Sequence, residues 1–214
     1  MTRLTVIGGT GYAGSNIVAK AQARGLETTS WSRGLPAEQL PGVTYRTGDV
    51  QDPATLEQAV SGADVIIGAL SPRGALDGHL REVYRTLAGF AEKAGVRLGI
   101  IGGAGSLLVA DGGPTLASLP TFPAEVLPEA TQLAEVLEDL RAHQGPLDWF
   151  FVSPAAAFGA FNPGTEKGTW RIGGDVLLSD AEGNSEISGQ DFASALVDEV
   201  TTPTHHRQRF SVAY

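Results

Sequence analysis

Three glycines, Gly8, Gly11 and Gly14, stand three residues apart in the stretch IGGTGYAGSN, residues 7–16. Glycine costs backbone entropy in any regular element, so such a cluster marks a tight turn or a close approach to the main chain. The run before it, Leu4–Ile7, is short, apolar and rich in β-branched residues, which predicts a buried parallel strand. Beyond it, Ile17, Val18 and Ala21 recur at helical spacing between Gly11 and Arg24, and Gly25 supplies a stop signal. A G-x-x-G-x-x-G series at a strand-to-helix turn is a variant of the dinucleotide fingerprint. Backbone N–H groups at the helix N-terminus meet a pyrophosphate, and the missing side chains permit the approach.

The next strand carries a second chemical signal. Leu26–Trp31 reads as extended and ends in Ser32-Arg33. An NAD-selective site usually offers a carboxylate about 20 residues beyond the glycines, to grip the ribose 2′-hydroxyl. Here a hydroxyl and a guanidinium stand in that neighbourhood. Arg33 can pair with a 2′-phosphate and stack beside adenine, so the expected cofactor is NADP(H).

Other chemistries find little support. With no cysteine there is no disulfide, thiolate nucleophile or Cys-based metal site. A serine hydrolase reading lacks a G-x-S-x-G elbow. Of the four histidines, His79 opens a helix near the expected cofactor end as a candidate proton donor. His143 ends a helix, where a cation suits the dipole. His205 and His206 lie in a polar stretch, and no pair has metal-ligand spacing with a third ligand, so no metal is expected. Ser188 and Asp191 read as a capping box for a helix over 189–200.

The elements that must position these residues alternate along the chain. Strands are expected at Val43–Thr47, Ala63–Leu70, Arg97–Ile101 and Leu147–Val152, with a last one after His206. Helices are expected at Pro53–Val60, Leu76–Ala94 and Pro123–His143. That alternation predicts an α/β Rossmann-type doubly wound parallel sheet with helices on both faces, as one domain over 1–214. Loops at about 102–130 and 155–188 would form a small substrate side. The chain's 214 residues, 42% of them hydrophobic, suffice for a sizeable core. The formal charge of −9 disfavours a nucleic-acid binder, which needs a basic face. No stretch nears the ~20 apolar residues of a membrane span, and no signal peptide is evident, so the expected location is the cytoplasm.

Together, Gly8–Gly14, Gly48-Asp49-Val50, and the segments 102–112, 147–175 and 187–199 resemble the atypical short-chain dehydrogenase/reductase superfamily. Within it the chain is most similar to the small NAD(P)-binding proteins often called NADH-flavin reductases, with NmrA-like and biliverdin-reductase-B-like cousins. The resemblance implies that Gly8, Thr10, Gly11, Tyr12, Ala13 and Gly14 form the pyrophosphate turn, with Ser32 and Arg33 at the 2′-phosphate. It implies Asp49 and Val50 beside the adenine, and Ala69, Leu70 and Ser71 near the riboses. Ser106, Ser153, Pro154 and Ala155 would lie near the nicotinamide.

The chain departs from the superfamily's main pattern at the catalytic pair, Tyr-x-x-x-Lys. None of Tyr12, Tyr45, Tyr84 and Tyr214 has a lysine four positions on. The chemistry that fits is hydride transfer from NADPH to a flavin (FMN or FAD), a quinone or a similar conjugated acceptor, which needs alignment more than a strong positioned acid. Ser106 is the candidate catalytic residue, bonding the acceptor or the nicotinamide amide. Leu107, Leu108, Phe122, Phe158, Phe161 and Trp170 would wall a flat ligand. The alternative is an NADP(H)-binding redox sensor of NmrA-like type without turnover. The expected partner is a small-molecule acceptor, not nucleic acid or a membrane, with a homodimer left open.

Overall fold

In the computed structural model, which describes Met1–Tyr214, Arg3–Ile7 forms β1, an interior strand of an eight-stranded sheet. The other strands are β2 (Glu27–Ser32), β3 (Val43–Thr47), β4 (Val65–Gly68), β5 (Arg97–Ile101), β6 (Trp149–Pro154), β7 (Arg171–Gly173) and β8 (Gln208–Ala213). Their order across the sheet is β3-β2-β1-β4-β5-β6-β8-β7. All neighbours are parallel except β7 and β8. The expected all-parallel sheet is therefore mixed at one margin, where β7 doubles back on β8.

Five helices connect the strands: α1 (Tyr12–Ala23), α2 (Pro53–Val60), α3 (Leu80–Ala94), α4 (Leu127–Ala142) and α5 (Gly189–Thr201). They divide between the two faces. One core joins Ile17, Val18 and Ala21 of α1 and Phe192 and Leu196 of α5 to Val6, Ile67, Phe150 and Phe210. The other joins Leu56, Leu87 and Leu137 of α2, α3 and α4 to Ile7, Ile66, Leu98 and Phe151. Alternate residues of each central strand feed opposite cores, as the two-residue strand period requires. The doubly wound Rossmann-type architecture is as expected.

Two helices start later than their periodicity suggests. Residues Gly74–Leu76 form only a 3-10 turn, because Gly74 and Gly78 both take positive φ, and α3 begins at Leu80. Likewise α4 starts at Leu127, just before Pro128, rather than at Pro123. No helix is long and apolar enough to cross a membrane.

Candidate functional site

The register brings the sequence-predicted residues to one edge of the sheet. Ile7 pairs with Trp31 and Gly68, Ser32 with Thr47, Gly68 with Ile100, and Ile101 with Val152. The chain therefore leaves β1, β2, β3, β4 and β6 at Gly8, Arg33, Gly48, Ala69 and Ala155 along a common carboxyl edge. Ligands of open α/β sheets bind at that edge.

The glycine turn has two kinds of glycine. A Cβ at Gly8, whose φ is +84°, would fall 2.3 Å from the Ala69 carbonyl oxygen. One at Gly14 would fall 2.2 Å from the Gly8 oxygen, so these two glycines let β1, β4 and α1 pack closely. Gly11 differs. A Cβ there would meet only the Gly8 oxygen, at 3.3 Å, and otherwise point into the open mouth of the turn. Gly11 caps α1 without a side-chain bond, and the N–H groups of Tyr12, Ala13 and Gly14 have no backbone acceptor. Thr10 and Gly11 are exposed, Tyr12 and Ala13 half-buried. An uncapped helix N-terminus with open space before it fits a pyrophosphate.

Ser32 and Arg33 take separate roles. The buried Ser32 accepts from the Thr10 N–H at 3.1 Å, which fixes the turn against β2. Arg33 is exposed, and no carboxylate or carbonyl engages its guanidinium. Asp49 is exposed and accepts from the Gln51 N–H, whereas Val50 is buried in the α2–α3 core. Ala69 and Leu70 are half-buried at the end of β4. The Leu70 N–H donates to the hydroxyl of Tyr84, whose burial pushes its pKa up and keeps it a neutral core residue. Ser71 donates to Glu129 at 3.1 Å, and Arg73 bonds the other oxygen of that carboxylate at 2.7 Å. Glu129 thus ties the loop after β4 to the start of α4.

At the expected nicotinamide end the side chains named from the sequence are buried or have protein partners. The loop after β5 folds back, and the Ser106 hydroxyl accepts from Arg209 Nη1 at 2.9 Å. Arg209 lies opposite Phe151, three residues before the end of β6, and its Nε donates to Asp175 at 2.7 Å. Ser106 therefore helps hold a buried guanidinium whose carboxylate partner, Asp175, is exposed. The Ser153 hydroxyl is fully buried with no hydrogen-bond partner, and Pro154 and Ala155 are buried too.

The expected aromatic wall is also mostly committed. Leu107 is core, and Leu108 is stitched to segment 175–177 by its N–H to the Asp175 oxygen and by the Leu177 N–H to its own. Phe122 sits half-buried near Gly105, and Trp170 packs against the α1–α5 core. Phe158 packs between Tyr12 and Phe192, with ring centroids 5.3 and 4.4 Å away. Phe161 alone of the six projects freely, 78% exposed. His79 is exposed at the start of α3, beside a groove between α2 and α3.

Two residues singled out in the sequence make further contacts that spacing did not indicate. Ser188 caps α5 through the Asp191 N–H, as its spacing suggests. Asp191 also accepts from the Lys167 and Gly168 N–H groups at 2.7 and 3.0 Å and from the Tyr214 hydroxyl at 2.6 Å. Burial raises its pKa, but these donors more than offset that and hold it below the usual carboxylate range. The second is the Tyr12 phenol, which leaves the turn and donates to the Pro163 oxygen at 3.3 Å.

Comparison with known proteins agrees with this geometry. The chain is 36% identical over 215 residues to the Bacillus subtilis (strain 168) protein YwnB, covering 98% of this chain and 97% of that one. A crystal structure called a putative epimerase, from Bacteroides thetaiotaomicron, superposes with a TM-score of 0.89 at 33% identity, covering 100% and 97% of the two chains. One called a putative NADH-flavin reductase, from Streptococcus pneumoniae TIGR4, gives a TM-score of 0.84 at 29% identity, covering 100% and 99%. A family model described as NAD(P)H-binding matches residues 8–203, from the first glycine of the turn to beyond α5. The chain belongs to this NAD(P)H-binding family.

Proposed function

We propose that this protein is an NADPH-dependent reductase that passes a hydride to a flavin, a quinone or a similar flat conjugated acceptor. The observation that carries the reading is the uncapped N-terminus of α1 beside an exposed, unpaired Arg33. The N–H groups of Tyr12 and Ala13 would hold the pyrophosphate, and Arg33 the 2′-phosphate. The bound nicotinamide would supply the hydride. The chain's own part is to orient the two reactants and exclude water.

The side chains near the carboxyl edge suit this division of labour. Tyr84 is buried and Ser106 is engaged by Arg209, which leaves no strong acid aimed at a substrate. A delocalised acceptor tolerates that lack better than a simple ketone does. Phe161, exposed beyond β6, offers an apolar surface for a flat ring. The Streptococcus relative's name points the same way.

The same scarcity of catalytic side chains favours the second reading, an NADP(H)-binding sensor without turnover. One assay separates them. The purified protein is given NADPH with FMN, FAD, quinones and simple carbonyls in turn, and loss of the reduced-nicotinamide absorbance is followed. Turnover with flavins or quinones but not with simple carbonyls is expected. Tight NADPH binding with no turnover on any acceptor would favour the sensor.

A further inference from the structure

Segment 157–168, which follows β6 and carries Phe158 and Phe161, is fastened at its start by the Ala157 N–H to the Ser185 oxygen and beyond that by residues of α1, of α5 and by Tyr214. On the α5 side, Asp191 grips the Lys167 and Gly168 N–H groups. The Tyr214 hydroxyl, bonded to Asp191, also donates to the Thr165 oxygen at 3.0 Å. On the α1 side there are two fastenings of different kinds. Lys20 pairs with Glu166 at 2.7 Å, two turns along the helix from the glycine cluster. Tyr12 is the first residue of α1, so its N–H lies in the uncapped turn while its phenol donates to Pro163 and its ring packs edge-on against Phe158.

No other residue of the turn reaches this segment through a side-chain bond. We infer that Tyr12 is a positioning residue that couples cofactor occupancy at the glycine turn to the order of segment 157–168, and so to acceptor binding. The inference rests on NADPH binding at that turn. A phosphate bonded to the Tyr12 N–H restrains the backbone that aims the phenol. The ordering entropy of the phenol–Pro163 and Tyr12–Phe158 contacts is then already spent when the acceptor arrives. Linkage makes the effect reciprocal: an ordered segment also raises cofactor affinity.

The geometry suits the task. The Tyr12 phenol is half-buried, and its raised pKa, from burial partly offset by the Gly189 N–H, keeps it a neutral donor. A Cβ at Gly189 would fall 2.9 Å from the phenol oxygen, so the glycine at the start of α5 leaves that oxygen its room. The fastening on Pro163 lies between Phe161 and the Asp191 grip. Release at this point frees the part of the segment that bears the exposed Phe161.

Hydrogen exchange over residues 159–169 tests this, with NADPH affinity measured on the same samples by calorimetry. In the parent, saturating NADPH should slow exchange of the segment. Tyr12→Phe should speed exchange of the free protein roughly 2- to 12-fold, the range that one net hydrogen bond supports, and should lose the part of the NADPH-dependent slowing that the phenol–Pro163 bond carries. Lys20→Gln serves as the comparison. It should speed exchange of the free protein too but keep the NADPH-dependent slowing, because Lys20 is outside the turn. A Tyr12→Phe protein that keeps the parent's full slowing overturns the coupling and reduces Tyr12 to one tether among several. A parent that binds NADPH with no change in exchange also overturns it, while the proposed cofactor stands. A parent that binds no NADPH overturns both.

Discussion

The Ser32 hydroxyl accepts the Thr10 N–H at 3.1 Å, which fixes the glycine turn beside the neighbouring Arg33, whose exposed guanidinium has no protein partner. A guanidinium bonded to a 2′-phosphate makes a charge-assisted contact, whereas NADH offers it only a hydroxyl. Such a bond is worth about 1.5–3 kcal/mol net, or roughly 10- to 150-fold in affinity. Arg33→Ala should weaken NADPH by that factor and leave NADH nearly untouched. Because Arg33 is exposed, salt should weaken NADPH binding to the parent more than to the variant. Calorimetric titration of both proteins with both cofactors checks this, and equal parent affinities for NADH and NADPH would move the cofactor to NAD.

Gly11→Val should abolish cofactor binding while the fold survives. The new side chain would fill the mouth of the turn, and the one close neighbour of its Cβ is the Gly8 oxygen at 3.3 Å. Gly14→Val is the contrast, since its Cβ would collide with the Gly8 backbone at 2.2 Å and should cost stability as well. Thermal melts beside NADPH titrations distinguish the two, and a Gly11→Val protein with parental affinity would leave the glycines a packing role alone.

Ser106→Ala should act on stability rather than on turnover. The hydroxyl bonds the buried Arg209 guanidinium, and a bond to a charged group contributes about 1.5–3 kcal/mol. Denaturant unfolding should register a loss of that order while NADPH oxidation stays near the parent's rate. A loss of turnover on the order of 100-fold, as for removal of a general acid, would return Ser106 to the reaction.

Glu199 sets an acid limit. The carboxylate is buried and accepts from Arg97 at 2.5 Å, from Thr204 and from His205. Burial raises its pKa, but these partners outweigh that and hold it at about 2, below its ordinary 4.5. A carboxylate depressed on folding stabilises the native state fully above the unfolded value. That contribution is lost as pH falls from about 4.5 towards about 2. Glu199→Gln should remove its share of this slope and destabilise the protein at neutral pH by about 1.5–3 kcal/mol, because Arg97 loses its buried carboxylate and keeps only the half-buried Asp148. Unfolding midpoints across that pH range measure both effects, and an unchanged acid slope in the variant would contradict the assignment.

Much of this architecture was legible in the chain. β1, β5 and β6 are short apolar runs because both faces of a parallel sheet are buried, and the glycine spacing marked the turn that follows β1. Strand β7 carried no such mark. Arg171–Gly173 has no alternation, and its pairing comes from β8, some forty residues on. The site was legible where backbone makes it and illegible where distant side chains compete. Ser106 follows β5 as expected, but its hydroxyl is claimed by Arg209, 103 positions away. The Tyr12 phenol meets a carbonyl 151 positions on, a partnership that spacing does not encode.

The three-residue strand at the sheet margin has a consequence for self-association. A free flank on β8 would offer a row of unpaired N–H and C=O groups, a template on which another chain could polymerise. Strand β7 covers Ser211–Ala213 of that flank and, being only three residues long, itself presents a short ladder to a further strand. The exposed Ile172 at its middle is flanked by Arg171 and Gly173, a charge and a residue of low β propensity. The reversal at the end of an otherwise parallel sheet thus shortens the ladder that this margin offers to another chain.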